Sequence, residues 1–490
     1  MPIAVESFFL TSGAGGTLQQ QIQAMVAGGI LHGRFRPGEK LPSSRGLAAH
    51  LGVSRITVTL AYTELVAGDY LTSRGRSGYF ISQDAPRRPD FGPAAHPSGD
   101  TVDWARITAG RFDAVPDLPR PEDWRTYPFP FIYGQADATL FDHQNWRQCA
   151  LRALGRRDFD ALTADYYTRD DPLLIEYIVR SILPRRGIVA RPEEVLVTMG
   201  AQNALWLAAQ VLLAPDRLAV QENPSYHGLR VIVGQTRCRT AFVDVDAEGL
   251  PPEAIPPKAD VVFTTASHQC PTNTTMPLAR RRDFLARAER DDFVIVEDDY
   301  EFEMSFLKAA SPALKSLDQG GRVIYVGSFS KSLFPGLRLG YLVGSERFIR
   351  AARSLRATVL RHPPGHIQRT AAYFLALGHY DTHLGRMAQA FRRRRMAMDD
   401  AIATSGLTIA GGGGFGGSSF WMQAPDGVDC DRLALDLRAR GVLIEPGRAF
   451  FGPEDPRANF YRLAYSSIAP GRIAEGIALI AEAIRETGLK

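Results

Sequence analysis

The sequence predicts an α/β protein with two folded parts: a small winged helix-turn-helix domain and a large domain built on a mixed, mostly parallel sheet. Three observations support this prediction. Residues 1–82 carry apolar side chains at helical spacing, followed by a short hairpin pattern. Residues 83–125 are rich in proline, and residues 126–490 alternate short β-rich runs with amphipathic helices. We therefore expect two domains joined by a linker.

The composition limits the classes of protein to which this chain can belong. Of its 490 residues, 45% are hydrophobic and 22% are charged, which is enough to form the cores of more than one domain. The formal net charge is only +4, so any nucleic-acid-binding surface must be local. The four cysteines form no CxxC pair, and we find neither a signal peptide nor an apolar membrane-spanning stretch. These features favour a cytoplasmic protein that does not contact a membrane.

The amino-terminal part contains the pattern of a helix-turn-helix. A first helix is predicted at residues 18–31, where apolar side chains recur at helical spacing. In LPSSRGLAAHLGVSRITVTLAYTELV, Ser43 or Ser44 can cap a second helix and Ser54 a third. Gly52 lies between these two helices, where a tight turn favours a residue that tolerates a positive φ.

Basic and hydroxyl-bearing side chains mark a predicted DNA-binding surface. The run YLTSRGRSGYFIS indicates two short strands around a basic tip, which would form a wing. Recognition helices present their amino-terminal residues to the major groove, where arginine can bond guanine and hydroxyls can bond bases or phosphates. The predicted DNA-binding residues are Arg45, Ser54, Arg55, Thr57, Thr59, Arg76 and Gly78.

This pattern resembles the winged helix of the GntR family of regulators, notably in G-x-x-LPSSR-x-LA-x-x-LGVSR-x-TV, and the resemblance runs from Thr17 to Ser82. It implies operator DNA as a partner. It also implies DNA contacts from Arg45, Arg55, Thr57 and the wing around Gly78. Some members carry an arginine where this chain has Thr59, so the resemblance does not give the target sequence. A small helical protein-interaction domain with solvated arginines is the alternative interpretation.

Residues 83–125 are predicted to form a semi-extended linker. The run QDAPRRPDFGPAAHPSGD has no hydrophobic period and cannot bury much apolar surface. A linker of this length could place the winged helix on its own subunit or on a partner subunit.

The segment VGSFSKSLFPGLRLGYLV gives the strongest site signal in the large domain. Lys331 follows a predicted buried strand, and Arg338 comes seven positions later. An amine that forms a Schiff base must be neutral and accessible, so it must be partly desolvated. A phosphate nearby needs a guanidinium and hydroxyls, which Arg338, Ser328 and Ser330 can supply. The segment therefore favours Schiff-base chemistry beside a phosphate.

An acidic segment, VIVEDDYEFE, gives the second signal. A predicted apolar strand ends at Glu297, and Asp298 and Tyr300 follow at its mouth. An electron-sink cofactor needs a carboxylate that keeps its pyridine nitrogen protonated and a hydroxyl near its ring oxygen. A solvated acidic loop is the alternative interpretation.

Together these segments resemble the fold-type I aminotransferases, over most of Tyr127–Lys490. The resemblance implies the cofactor pyridoxal 5'-phosphate, joined to Lys331 as an internal aldimine. It places Asp298 at the pyridine nitrogen and Tyr300 at the phenolic oxygen.

The same resemblance assigns roles to residues outside these two segments. Tyr226 in ENPSYHG would stack on the cofactor ring, and Tyr167 in DYYTRDDPLL would reach a phosphate across a homodimer interface. Arg462 in FYRLAYSSI would hold the carboxylate of an effector. The residues assigned to the phosphate are Arg338, Ser328 and the backbone N–H groups of Gly200, Ala201 and Gln202.

Some positions depart from the family pattern or allow a simpler role. The turn that usually reads HQ-x-PTG is SHQCPTN here, with Asn273 in place of glycine. Gln269 in this turn is a candidate for the ring oxygen, and a turn-capping amide is the alternative. Tyr226 could be a simple turn tyrosine, and Tyr167 could be a core residue.

Two further patterns are interpreted as structural. The run FRRRRMA at 391–397 predicts a solvated helix face that could also touch DNA. His379 and His383 lie at helical spacing, but we see no third ligand and predict no metal site.

The order of winged helix, linker and aminotransferase-like domain resembles the MocR-type branch of the GntR regulators over essentially the whole chain. In that branch the large domain is mainly a sensor. The resemblance implies that a primary amine or amino acid attacks the cofactor on Lys331, and that the resulting external aldimine alters DNA affinity. An active aminotransferase with a DNA-binding appendage is one alternative. A DNA-binding protein whose effector is the cofactor itself is the other.

Overall fold

A computed structural model describes residues 2–10, 16–86, 102–108, 120–135 and 137–488. The chain divides into two compact units, Met1–Ala109 and Gly110–Lys490. Most of the predicted linker lies outside the described residues. Its described part contains a short helix at Trp104–Thr108, so that stretch is not extended.

The small unit is a helix-turn-helix with a two-stranded wing. Ser43 and Ser54 cap the second and third helices with their side chains, and Gly52 ends the second helix with a φ of 66°. Its core contains the buried residues Leu47, Val58, Ala61, Tyr62 and Leu65. The elements are α1 (Leu18–Leu31), α2 (Ser44–Leu51), α3 (Arg55–Ala67), β1 (Leu71–Ser73), β2 (Tyr79–Ile81) and α4 (Trp104–Thr108).

The large unit begins with β3 and ends with α16. Its elements are β3 (Phe129–Pro130), α5 (His143–Ala153), α6 (Phe159–Thr163), α7 (Pro172–Tyr177), β4 (Val195–Thr198), α8 (Ala201–Leu212), β5 (Leu218–Asn223), α9 (His227–Gln235), β6 (Arg239–Asp244), β7 (Val261–Thr264), α10 (Leu278–Asp291), β8 (Val294–Asp298), α11 (Leu314–Leu317), β9 (Val323–Ser328), β10 (Gly340–Val343), α12 (Glu346–Leu360), α13 (Gly365–Ala376), α14 (His379–Ser405), β11 (Thr408–Ile409), β12 (Ser419–Gln423), α15 (Cys430–Ala439), β13 (Val442–Leu443), β14 (Glu445–Pro446), β15 (Phe460–Ala464) and α16 (Pro470–Gly488).

A seven-stranded sheet with the order β4-β10-β9-β8-β7-β5-β6 forms the centre of the large unit. The pairs β9–β8, β8–β7, β7–β5 and β5–β6 are parallel, whereas β10 runs antiparallel to β4 and β9. This confirms the predicted mixed, mostly parallel sheet. Because the strands are parallel, the residues that follow β5, β7, β8 and β9 meet at one edge of the sheet.

Successive strand residues pack on opposite faces of this sheet. Leu196 packs in a cluster with α8 and α12, whereas Val195 and Val197 pack in a cluster with α5, α7 and α13. Both faces are therefore covered by helices, as a parallel sheet requires.

A second, four-stranded antiparallel sheet, β11-β12-β15-β14, packs with α14, α15 and α16. The prediction of a solvated arginine face on α14 is wrong for two of its four arginines. Arg394 is 6% exposed, pairs with Asp137 and donates to the carbonyl of Ser466 at 2.6 Å. Arg395 is also buried and lies 4.0 Å from the centroid of the Phe420 ring.

The beginning of the large unit is anchored by a small cluster. Trp124, Ile132 and Leu443 pack together, and β3 pairs in parallel with β13. The N–H of Phe131 donates to the carbonyl of Leu443 at 2.9 Å. In the described part of the chain, we find no helix with the length and apolarity needed to cross a bilayer.

Candidate functional site

Lys331 lies in the turn after β9, with its Nζ 4.0 Å from the centroid of the Tyr133 ring. A Cβ atom on Gly134, whose φ is +73°, would collide with this nitrogen. Burial lowers the pKa of Lys331 from 10.5 to about 8, and the carboxylate of Glu301 opposes the shift. A large fraction of the amine is therefore neutral near pH 8, as nucleophilic attack requires.

Three consecutive carboxylates, Glu297, Asp298 and Asp299, stand where β8 ends. Glu297 lies 3.8 Å from the guanidinium of Arg281 and accepts two backbone hydrogen bonds. Asp299 accepts a hydrogen bond from Arg186 Nε at 2.6 Å. Asp298 differs, because its Oδ1 is buried and has no hydrogen-bond partner among the described residues. The fold therefore pairs Glu297 and Asp299 with arginines and leaves Asp298 without a partner at Oδ1.

The surroundings of Asp298 disfavour its charge. Its pKa rises from 3.8 to about 7, first because of burial and then because of the neighbouring carboxylates of Asp299 and Glu222. Tyr226 and Ser225 line the cavity that Asp298 faces. A protonated pyridine nitrogen at Oδ1 would supply both the missing hydrogen-bond donor and the compensating charge. The environment of Asp298 thus fits the cofactor that the sequence predicts.

The start of α8 has the geometry of a cradle for an anion. Gly200 precedes the helix with a φ of +81°, and Ala201 and Gln202 are its first residues, whose N–H groups have no partner within the helix. Arg338 Nη2 donates to the carbonyl of Met199 at 3.0 Å. A Cβ on Gly200 would lie 3.2 Å from the same nitrogen and fill the cradle. This geometry suits a phosphate.

Other predicted residues lie at the same sheet edge. Ser328 ends β9, and its Oγ accepts a hydrogen bond from the N–H of Ser330 at 3.1 Å. Tyr226 lines the cavity in front of Asp298 and also an adjoining one that contains Gln202 and Arg338. The structure thus brings the lysine, carboxylate, tyrosine and phosphate candidates around one region.

Of the remaining predicted residues, Tyr300 lies beside this group, whereas Gln269 and Tyr167 have other contacts. Tyr300 packs in an aromatic cluster and lies 6.5 Å from the Tyr133 ring, centroid to centroid. The Gln269 amide donates to the carbonyl of Pro224 at 2.7 Å and accepts from its own turn, as the turn-capping alternative expects. Tyr167 is 48% exposed, and its ring faces the guanidinium of Arg361.

Arg462 on β15 is 4% exposed and contacts the same aromatic ring as Lys331. Its Cζ lies 4.0 Å from the centroid of the Tyr133 ring, the same distance as Lys331 Nζ. Glu445 accepts from Arg462 Nε at 2.8 Å and raises the pKa of this guanidinium against the effect of burial. Lys331 and Arg462 are therefore neighbours of one aromatic ring.

Sequence reasoning missed three residues of this site. Tyr133 and Glu445 come from segments that carry no motif, so only the fold brings them to Lys331. Glu301 follows the acidic run and could have been found there. It is 1% exposed and lines one cavity with Lys331 and Ser330. Burial raises its pKa above the ordinary value.

In the small unit, the start of α3 is held by its own side chains. Ser54 Oγ accepts from the N–H of Thr57 at 3.1 Å and lies 2.8 Å from Thr57 Oγ1. Thr59 Oγ1 donates to the carbonyl of Arg55 at 2.9 Å. Arg45 and Arg55 are exposed, and Arg55 Nε donates to Ser44 Oγ at 3.4 Å.

The wing closes with Gly78 at a φ of +100°. The side chain of Arg76, which the sequence assigns to DNA, lies outside the described part of the chain. The prediction of an arginine contact at the tip of the wing therefore stays a prediction.

Two family models match the two units. The model for aminotransferase class I and II matches residues 142–472, and the model for bacterial regulatory proteins of the gntR family matches residues 18–81. Both matches fall where the sequence patterns place them.

Curated relatives and solved structures extend these matches to the whole chain. The HTH-type transcriptional regulator TauR of Rhodobacter capsulatus is 63% identical, covering 99% of this chain and 100% of the relative. The probable rhizopine catabolism regulatory protein MocR of Rhizobium meliloti is 28% identical, covering 94% and 92%. The α-aminoadipate aminotransferase LysN of Thermus thermophilus, solved with N-(5'-phosphopyridoxyl)-L-leucine, is 26% identical with a TM-score of 0.71, covering 79% of this chain and 100% of LysN.

Proposed function

Because the chain belongs to the aminotransferase class I and II family and carries a GntR-type helix-turn-helix, it is a transcriptional regulator, and we propose that it senses a primary amine or amino acid through pyridoxal 5'-phosphate held on Lys331. The observation that carries this proposal is the buried, unpartnered Oδ1 of Asp298. Such a group costs free energy unless a donor reaches it, and a protonated pyridine nitrogen is that donor.

The other groups extend this assignment to the whole cofactor. The cradle of Gly200, Ala201, Gln202 and Arg338, together with Ser328 and Ser330, would hold the phosphate. Tyr226 would stack on the ring, and Tyr300 would serve the ring oxygen. When bound, the cofactor supplies an aldehyde that can exchange the Lys331 amine for that of an effector. The residues of this chain then have to bind, orient and deprotonate that amine.

Arg462 would recognise the acidic end of the effector. Its Nε edge is held by Glu445, which fixes the guanidinium over the Tyr133 ring. Lys331 lies over the same ring, so an effector with an amine at one end and an anionic group at the other fits the pair. Glu445 offsets part of the arginine charge, which favours a short, singly charged anionic group over a polyanion.

We further infer a homodimer with two DNA-binding heads. Tyr167 is an exposed aromatic residue beside Arg361, and the resemblance gives this tyrosine a role across a subunit interface. In such a dimer the amine would alter DNA affinity only if it bound the two conformations with different affinity. An active aminotransferase is the competing function, since the same lysine and aspartate serve both; we propose that transamination is at most residual.

A spectral titration with amines and amino acids tests the proposal. The purified protein should absorb in the visible as a protonated Schiff base, and effectors should shift this band and change operator affinity in the same concentration range. Stoichiometric keto acid in every turnover would instead identify an aminotransferase. Operator affinity that depends on the cofactor but on no amine would make the cofactor itself the effector.

A further inference from the structure

The outer face of α3 carries two large apolar side chains in contact with solvent. Ile56 is 71% exposed and Leu60 is 49% exposed. They are four residues apart and therefore lie one turn apart on the same face of the helix. Ile56 is the second residue of α3, at the end that a helix-turn-helix presents to the major groove.

The hydrogen bonds of α3 make this face more apolar than its sequence suggests. Thr59 Oγ1 donates to the carbonyl of Arg55, and Thr63 Oγ1 donates to the carbonyl of Thr59, both at 2.9 Å. Each hydroxyl hydrogen is thus used within the helix. The threonine methyl groups remain to add to the face that Ile56 and Leu60 form.

The small unit does not need this face for its own core. The buried residues of α3 lie on the opposite side of the helix: Val58, Ala61, Tyr62 and Leu65. Glu64, on another side of α3, accepts a hydrogen bond from Gln19 of α1. The apolar face is left open toward whatever α3 binds.

The apolar feature of a DNA major groove is the C5-methyl group of thymine. Arg45 and Arg55 are exposed near the same end of α3 and supply positive charge for the phosphates on either side. An apolar surface that is flanked by positive charges suits a DNA groove. It suits the core of a protein–protein interface less well, because charged residues are depleted there.

We propose that Ile56, supported by Leu60, reads thymine methyl groups in the operator, so that Ile56 determines sequence specificity through an apolar contact. This inference rests on the DNA-binding part of the proposed function and is independent of the cofactor. It assigns base readout to a residue that carries no hydrogen-bonding group.

The test uses full-length protein and duplexes selected from a randomised pool by repeated binding. Each thymine of the best duplex is replaced in turn by deoxyuridine, which removes one methyl group and leaves the base pairing intact. At one or two positions the wild type should lose about fourfold in affinity, the change that corresponds to about 0.8 kcal/mol for a methyl-sized group. Ile56→Ala should bind the original duplex more weakly and should show no further loss at those positions.

Two variants serve as controls. Ile56→Val keeps branched methyl groups and should retain part of the methyl dependence. Val189→Ala removes an apolar side chain that is 96% exposed in the large unit, and it should bind like the wild type. Because Ile56 is exposed, Ile56→Ala should also keep the wild-type melting temperature.

Three results would overturn the inference. One is equal affinity of the wild type for all deoxyuridine duplexes. Another is an equal methyl dependence in the wild type and in Ile56→Ala. The third is a change in oligomeric state in Ile56→Ala without a change in methyl dependence, which would assign the face to a second copy of the chain. If the pool yields no enriched duplex, the DNA-binding role fails together with this inference; if a duplex is enriched and the methyl effect is absent, only this inference fails.

Discussion

The start of α3 and the pocket around Lys331 treat polar groups in opposite ways. In α3, Ser54 and Thr57 bond each other and Thr59 bonds the backbone, so these hydroxyl groups are satisfied before any partner arrives. In the pocket, Asp298 is buried with an unpaired oxygen and Lys331 is partly discharged by burial. The DNA-facing region is stable as it stands, whereas the pocket carries an electrostatic cost that a ligand can relieve. Ligand binding in the pocket should therefore relieve an electrostatic cost, whereas the hydroxyls at the start of α3 present no such cost to relieve.

The largest effect is expected from Lys331→Ala. The variant should lose all cofactor that borohydride can trap, because no other amine occupies the position over Tyr133 in the described residues. Its operator binding in the absence of effector should persist. Lys308→Ala, which removes an exposed lysine, is the matched control and should trap cofactor normally. A reducible adduct at the wild-type level in Lys331→Ala would contradict the assignment.

Asp298→Asn should give the next largest effect, and in two directions. Loss of the charge that faces the pyridine nitrogen should weaken cofactor binding by about 3–5 kcal/mol, the cost of breaking a buried charge pair. Without cofactor, the same variant should unfold at a higher temperature than the wild type above pH 7. The pKa of Asp298 is raised from 3.8 to about 7 by folding, so the folded wild type loses stability as the pH rises through that window.

Thermal melting of the cofactor-free proteins at pH 5 and pH 8 checks the prediction on unfolding temperature. The advantage of Asp298→Asn should be larger at pH 8, where the wild-type carboxylate is ionised. If the two proteins differed in melting temperature by the same amount at both pH values, the pocket would carry no electrostatic cost. The contrast between the pocket and the start of α3 would then be wrong.

The smallest effect is expected on the DNA side, from Arg55→Ala. Operator affinity should fall by about 1–3 kcal/mol if the guanidinium forks onto a base, with no change in melting temperature, since the residue is exposed. Arg347→Ala, an exposed arginine of α12, is the control for charge alone. Gel-shift titration measures the change, and unchanged affinity would remove Arg55 from the base-contacting set.

The two regions also differ in how far sequence alone could describe them. The caps Ser43 and Ser54, the turn at Gly52 and the wing are local features, so their residue types and spacing were sufficient to predict them. The mostly parallel direction of the central strands followed from apolar runs spaced by helices, whereas the order of the strands came only from the structure. In the pocket, Lys331 and Asp298 were recognisable because each follows a buried strand.

What the sequence could not provide is long-range pairing. Tyr133 and Glu445 carry no local signal, and the buried Arg394 has its partners, Asp137 and the carbonyl of Ser466, far away in the chain. The acidic run shows the same limit: the resemblance assigned Asp298 to the pyridine nitrogen, but the arginines that pair with its two neighbours, Arg281 and Arg186, come from distant segments.

The cluster of Trp124, Ile132 and Leu443 fastens the chain immediately before Tyr133. The ring shared by Lys331 and Arg462 therefore follows directly after a stretch of backbone that is packed at both ends. A shift of that ring would therefore strain first the backbone between Trp124 and Tyr133, which the packed indole holds in place.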